Sequence, residues 1–312
     1  MIRLSGIALT WLALASADAP ERAVTTRVDP LAVQDDDFAR HRDPAEWQGL
    51  TVERIAFRNE RTAWRLWRIA DPAKKQGPLW FVPHDNENAG FEAALIVLRR
   101  YGGTVIAVDS GVAPDHDGQR FNYAVRTGGP VDPNRNFDSA LPGYAEMVLA
   151  DVGRGAWPVI ALHSNTRGFD TRESRCNTAD PPGNGVISIR FCDDIYAPHP
   201  SRSRAWPFDD DDTMAFATWR AGRSPDTAFC GNALAAADFN LVFEQVAITD
   251  RSLSNYAVLH DLDYLNFETL DRGNDAVPLA DSRDRLVAMI DRAMTACIAP
   301  AARNREKLPR RR

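Results

Sequence analysis

Leu79-Trp80-Phe81-Val82-Pro83-His84-Asp85-Asn86-Glu87 is the stretch on which the fold turns. Four consecutive apolar residues with no polar alternate predict a strand covered on both faces, and Pro83 ends it. Phe91 to Tyr101 follows with helical spacing closed by Gly102-Gly103, and Thr104 to Val108 is a second apolar run. A strand-helix-strand unit of this kind predicts a parallel or mixed sheet with helices on both faces. His84 and Glu87 then fall on the loop at the carboxyl end of the first strand, where open α/β sheets place their ligands.

Upstream, Thr51 to Phe57 and Ala63 to Ile69 alternate apolar with charged residues around a turn at Asn59-Glu60, the pattern of an edge hairpin. Downstream, the pattern predicts a helix over Tyr144 to Val152 and strands at Pro158 to Leu162 and Val186 to Phe191. Ser201 to Asp226 reads as irregular, with a short helix after it, and Ala233 to Ile248 is ambiguous. Tyr256 to Val258 and Tyr264 to Phe267 read as strands, and Asp281 to Cys297 as an amphipathic closing helix. The expected division is a signal peptide over 1–19, a polar linker or loosely attached arm over 20–48 containing Asp35-Asp36-Asp37, a catalytic domain over 49–300 and a basic tail over 301–312.

With 312 residues and 44% hydrophobic composition the chain can bury a large core. A net charge of −6 gives no electrostatic basis for binding nucleic acid or an anionic membrane, and the basic cluster from Arg303 to Arg312 reads as a solvated tail. Met1-Ile2-Arg3, the apolar stretch Leu4 to Leu14 and the small-residue sites Ala15-Ser16-Ala17 and Ala17-Asp18-Ala19 make a secretory signal, so a periplasmic or secreted protein is expected. The apolar stretch falls short of the roughly 20 residues a membrane span requires, and no later segment approaches that length. Four cysteines, none in a C-x-x-C pair, then favour disulfides. Cys176–Cys192 would staple a loop rich in Pro, Gly and Asn, leaving Cys230–Cys297.

His84 and Glu87, three positions apart across a tight turn, can both point at one ion, and a catalytic zinc takes three such ligands and keeps one position open. His163 follows the apolar run Val159 to Leu162 and so occupies a place like that of His84. His260, near Asp261 and Asp263, is the competing histidine. Asn134-Arg135 offers an amide and a forked guanidinium suited to gripping a carboxylate. Arg126 is placed to stabilise an oxyanion, with Arg120 as its competitor. Glu268, at the end of a strand pattern, can carry a raised pKa and shuttle a proton.

The order of these parts, His-x-x-Glu, Arg, Asp132-Pro133-Asn134-Arg135-Asn136-Phe137, a strand-end His and a strand-end Glu, resembles the zinc carboxypeptidase superfamily, including its succinylglutamate desuccinylase/aspartoacylase branch. His84-Asp85-Asn86-Glu87 is similar to the His-Gly-Asn-Glu of that branch, with Asp in place of Gly. The resemblance implies a single α/β/α domain with a mixed, mostly parallel sheet and one Zn2+ per chain on His84, Glu87 and His163. It implies Arg126 as the carbonyl-polarising residue, Asn134 and Arg135 as the substrate carboxylate clamp, and Glu268 as general base and acid. The function expected is cleavage of a C-terminal peptide bond by zinc-activated water, with a cell-wall peptide or muropeptide as the candidate substrate. N-acyl amino acid deacylation and a non-catalytic zinc-containing binding protein are the alternatives. Asp85 beside the metal departs from the pattern, the stretch from His84 to His163 is shorter than in digestive carboxypeptidases, and only Tyr256 and Tyr264 are candidates for their substrate-capping tyrosine.

Overall fold

The structure is a computed structural model that describes residues 23–59, 61–139, 143–152, 157–166, 187–189 and 195–298. In chain order its strands are β1 (Val24–Arg27), β2 (Thr51–Arg58), β3 (Ala63–Ala70), β4 (Leu79–Val82), β5 (Thr104–Val108), β6 (Val159–Asn165), β7 (Tyr196–His199), β8 (Met214–Arg220), β9 (Leu241–Val246) and β10 (Tyr264–Leu270). Its helices are α1 (Asp36–Ala39), α2 (Pro44–Trp47), α3 (Asn88–Tyr101), α4 (Gly143–Val148), α5 (Gly231–Ala236), α6 (Leu253–Leu259) and α7 (Ala276–Cys297). Among the described residues the strands form one mixed sheet in the order β1-β2-β3-β5-β4-β6-β10-β8-β9-β7. Its centre, β5-β4-β6-β10, is parallel. Antiparallel pairings flank that centre on the β3 side and between β10 and β8.

The unbroken apolar runs are explained by which face each residue covers. Trp80, Val82, Ile160, Leu162, Leu265 and Phe267 belong to the core layer shared with α3 and α7. Leu79, Phe81, Val159, Ala161 and Tyr264 belong to the opposite layer with α4 and α6. A polar residue at either parity would be buried, and each large side chain buried there contributes roughly 1.5–3 kcal/mol. The Trp80 indole donates to the Gly102 carbonyl at 2.9 Å, which satisfies the polar atom of a fully buried ring. Gly103 follows at φ +87°, where a Cβ would collide with the Pro78 carbonyl, so the turn from α3 into β5 requires glycine.

Residues 24–48, expected as a linker or arm, are packed onto the sheet instead. β1 pairs with β2, which makes β1 the outer strand and moves the expected edge hairpin one position inward. Phe38 is fully buried and lies 5.1 Å from Trp47, 5.0 Å from Trp67 and 5.5 Å from Phe91. The segment is polar because Asp35 and Asp43 cap two one-turn helices, and helix caps look like linker residues in sequence.

Four further elements differ from expectation. Met214–Arg220, inside the supposedly irregular region, is the strand β8 between β10 and β9, masked by the acidic run that precedes it. Tyr256 to Val258 is helical, within α6, whose first turn is capped by the Ser252 hydroxyl. Three apolar residues cannot distinguish a period of two from one of 3.6. Residues 187–189, the described part of the expected strand at 186–191, form no strand. α7 begins earlier than expected, at Ala276, with Pro278 tolerated in a first turn whose N–H groups need no partner within the helix.

Cys230 and Cys297 are disulfide-bonded with Cα atoms 5.4 Å apart, joining the start of α5 to the end of α7. Cys176–Cys192, the segment 1–19 and the tail 301–312 lie outside the described residues. Among the described residues no helix is long and apolar enough to cross a membrane.

Candidate metal centre

The chain leaves β4 at Pro83 and turns at once, with the Glu87 N–H donating to the His84 carbonyl at 3.0 Å. That turn brings the His84 and Glu87 side chains together: His84 Nδ1 is 2.7 Å from Glu87 Oε1. β6 lies beside β4 in parallel, so His163 emerges at the same end of the sheet, with its Nδ1 3.2 Å from Glu87 Oε2. Donor atoms of the three residues lie within 4.8 Å of one another, and all three side chains are buried. Ser164 N–H fixes the second Glu87 oxygen at 2.9 Å.

Two residues outside the trio define how it is held. Asp132 Oδ1 is 2.9 Å from His84 Nε2, which leaves Nδ1 as the nitrogen facing the cluster. Arg120 Nη1 donates to Glu87 Oε1 at 2.5 Å. β10 pairs with β6 in parallel and sets Glu268 opposite His163 in register. Glu268 is partly buried at the strand end, and Asn266 Nδ2 donates to its Oε1 at 2.9 Å.

Charge follows from these contacts. Burial pushes against ionisation of Glu87, but the two imidazoles and their hydrogen bonds prevail and hold its carboxyl well below the usual range. Burial disfavours a charged His84, yet Glu87 and the hydrogen bond to Asp132 raise it above its ordinary value. Glu268 goes the other way: burial raises it and the charge of Glu87 adds to that, with His163 and Asn266 offsetting only part. One carboxylate is thus kept ionised between two imidazoles while its neighbour is kept ready to take up a proton.

The remaining expected residues divide. Arg120, not Arg126, reaches the cluster; Arg126 is exposed on a neighbouring segment, where its N–H donates to the Arg61 carbonyl at 2.7 Å. Asn134 and Arg135 follow Asp132 in a short 3-10 turn capped by the Asp132 side chain, so the clamp segment and the histidine support share one residue. Asn134 Oδ1 is buried without a hydrogen-bond partner, and Arg135 is paired with Asp250. His260 is engaged elsewhere, with Nε2 2.9 Å from Ser139 Oγ and its ring stacked on Tyr256 at 4.0 Å. Tyr264 is buried in the core, which removes it as a capping residue. Asp132 was visible in the motif, but its support of His84 depends on a contact between distant segments. Asp85 turns away from the centre, its Oδ2 accepting from Ser110 N–H at 2.9 Å, Ser110 Oγ at 2.5 Å and Gly118 N–H at 3.0 Å.

Two imidazoles and a carboxylate are the donor set of a catalytic zinc, and the tether from Asp132 is the outer support such a histidine ordinarily has. His163 Nδ1 and His84 Nδ1 both face Glu87, so the residues fit zinc.

No protein-family model matches the chain, and no curated protein sequence matches it. Solved structures similar to it include the succinylglutamate desuccinylase from Chromobacterium violaceum, at 13% identity over 75% of this chain and 66% of that one, with a TM-score of 0.42. A protein of Shewanella denitrificans provisionally described as a metallopeptidase is 14% identical over 91% of this chain and 99% of that one, with a TM-score of 0.43. The succinylglutamate desuccinylase/aspartoacylase from Rhodobacter sphaeroides is 12% identical over 81% and 66%, with a TM-score of 0.39. The chain spans just under two thirds of the Chromobacterium and Rhodobacter proteins. These proteins include members of the branch that the motif order resembles. At such identities and TM-scores the chemistry of this chain rests on its own residues.

Proposed function

We propose that this chain is an exported zinc-dependent amide hydrolase of the carboxypeptidase kind, which removes a terminal residue bearing a free carboxylate. The observation that carries the reading is the in-register pairing of Glu268 with His163: a carboxyl group with a raised pKa stands beside a buried His84–Glu87–His163 donor set. Zinc, when bound, supplies a Lewis acid that polarises a carbonyl and acidifies water. Glu268 takes the proton from the attacking water and delivers it to the leaving nitrogen, a task for which a carboxyl raised above its ordinary value by burial is suited. Arg120, which already reaches Glu87, takes the place of Arg126 as the cation aimed at charge developing on the carbonyl oxygen. Asn134 and Arg135 receive the substrate carboxylate, with Arg135 exchanging Asp250 for it. Export is supported by the N-terminal signal pattern and by the Cys230–Cys297 disulfide, and a cell-wall peptide is the substrate suited to that compartment.

The test is a comparison of three substrates on the zinc-loaded protein: a blocked dipeptide with a free carboxyl terminus, its C-terminal amide, and an N-succinyl amino acid. The free dipeptide should be cleaved and the amide should lose at least about tenfold in kcat/KM, since a desolvated charge-assisted contact is worth roughly 2–5 kcal/mol. Preference for the succinyl substrate would move the reading to a deacylase. Equal turnover of acid and amide would remove the clamp. Stoichiometric zinc with no hydrolysis of any of the three would leave a zinc-containing binding protein.

A further inference from the structure

The N-terminal segment sets consecutive aspartates against the loop that carries His84. One carboxylate oxygen each from Asp35, Asp36 and Asp85 lies within 4.8 Å of the others. Asp35 and Asp85 are 3% and 2% exposed, and Asp37 beside them is 1% exposed. Arg40 pairs with Asp36 and Asp37, and its Nε also lies 3.6 Å from Glu92. That one guanidinium therefore serves three carboxylates and makes no ion pair with Asp35 or Asp85. Carboxylates held this close and largely away from water repel strongly, and the repulsion is relieved either by protons taken up on the carboxyl groups or by something of opposite sign between them.

A second observation concerns hydrogen bonding. Asp85 comes to the cluster from the opposite side, and its Oδ2 is saturated by the three donors from Ser110 and Gly118. Its Oδ1 is buried and has no hydrogen-bond partner, and the same is true of Asp36 Oδ1. The two share one pocket, because Gly118, whose N–H binds Asp85, passes so near Asp36 that a Cβ would sit 3.3 Å from its carboxylate. Buried carboxylate oxygens without a donor are uncommon in folded proteins and call for a missing partner. That partner has to accept oxygen ligands alone, since neither imidazole nor thiol belongs to this group.

We propose that Asp35, Asp36 and Asp85 hold a hard divalent cation, with Ca2+ the ion of matching chemistry. Calcium accepts irregular sets of carboxylate oxygens, whereas magnesium demands near-octahedral geometry and keeps its waters. The ion neutralises the buried Asp35 and Asp85 together with the half-buried Asp36, and pins the N-terminal segment to the turn that presents His84 and Glu87. It also gives a reason for Asp85 beside the histidine centre, because the side chain there serves a second site facing the other way.

The full mature chain in chelator-treated buffer, with its histidine centre loaded with zinc, is dialysed against CaCl2, and bound metals are counted by elemental analysis alongside thermal melting. One calcium per chain is expected, with Tm rising by roughly 4–5 °C at a hundredfold excess over Kd. Asp36→Asn should lose most of that rise. Three results overturn the proposal: no retained calcium with melting curves matching those in NaCl of equal ionic strength, equal calcium binding by parent and Asp36→Asn, or a second zinc released by that substitution. If Asp36→Asn does not fold, the calcium count on the parent decides alone.

Discussion

The turn carrying His84 and Glu87 and the turn carrying Asn134 and Arg135 are joined through Asp132, which caps the second and contacts His84 of the first, yet they are held in different ways. In the first, each functional side chain is buried and fixed by partners from elsewhere in the chain: His84 by Asp132, and Glu87 by His163, Ser164 and Arg120. In the second, the Arg135 side chain is 55% exposed and its partner Asp250 is 45% exposed. An ion pair in that setting is worth at most about 1 kcal/mol and exchanges readily. The difference matches the two tasks proposed. A metal centre needs donors preorganised before the ion arrives, whereas a substrate clamp has to release one carboxylate in order to take another.

The largest effect that would break the comparison lies in the buried trio. His163→Ala should abolish both stoichiometric zinc and turnover, because one imidazole and one carboxylate are too few for a catalytic zinc. Elemental analysis that found full zinc in this variant would show that the donors lie elsewhere. Glu268→Gln should keep zinc and fold but lose about 10²- to 10⁴-fold in kcat, since the amide keeps the shape of the carboxyl and cannot accept the proton. Zinc content is the control: near-normal kcat with zinc bound would make Glu268 a structural strand-end residue, and loss of zinc would make it a ligand. The smallest effect belongs to the exposed side. Asp250→Asn keeps the acceptor that the Ser252 N–H uses at 2.9 Å but removes the competing charge, so KM for a free-carboxylate substrate should fall by about two- to fivefold with kcat unchanged. A rise in KM would show that Asp250 positions Arg135 rather than competing for it.

Much of the parallel centre was legible because β4, α3 and β5 are strictly local patterns. The run Leu79–Val82, the helical spacing into Tyr101 and the double glycine each obey short-range rules. The placement of His84 just after β4, and of His163 and Glu268 near the carboxyl ends of β6 and β10, follows from the apolar run before each of them. What escaped was set by contacts between distant segments. Residues 24–48 read as solvated because aspartates in a sequence look like surface charge, whereas two of them cap short helices and Phe38 and Trp47 fill the space against Trp67. Met214–Arg220 is hidden for a related reason, since the Pro207 and Asp209–Asp212 stretch before it outweighs its short apolar run.

By itself, the sequence determined which donor types exist and that they stand at the carboxyl ends of buried strands, because a strand's end and the turn after it are encoded within a few residues. Tertiary structure decided which of them meet. The register of β10 on β6, which places Glu268 opposite His163, is set by side chains packing on both faces of the sheet rather than by any local signal. The contact of Arg120 with Glu87 and the support of His84 by Asp132 depend on how the segment between β5 and α4 folds back over the strand ends. Residues six apart in an irregular segment have no periodicity to tell them apart, so only the folded path of that segment could select between the two arginines.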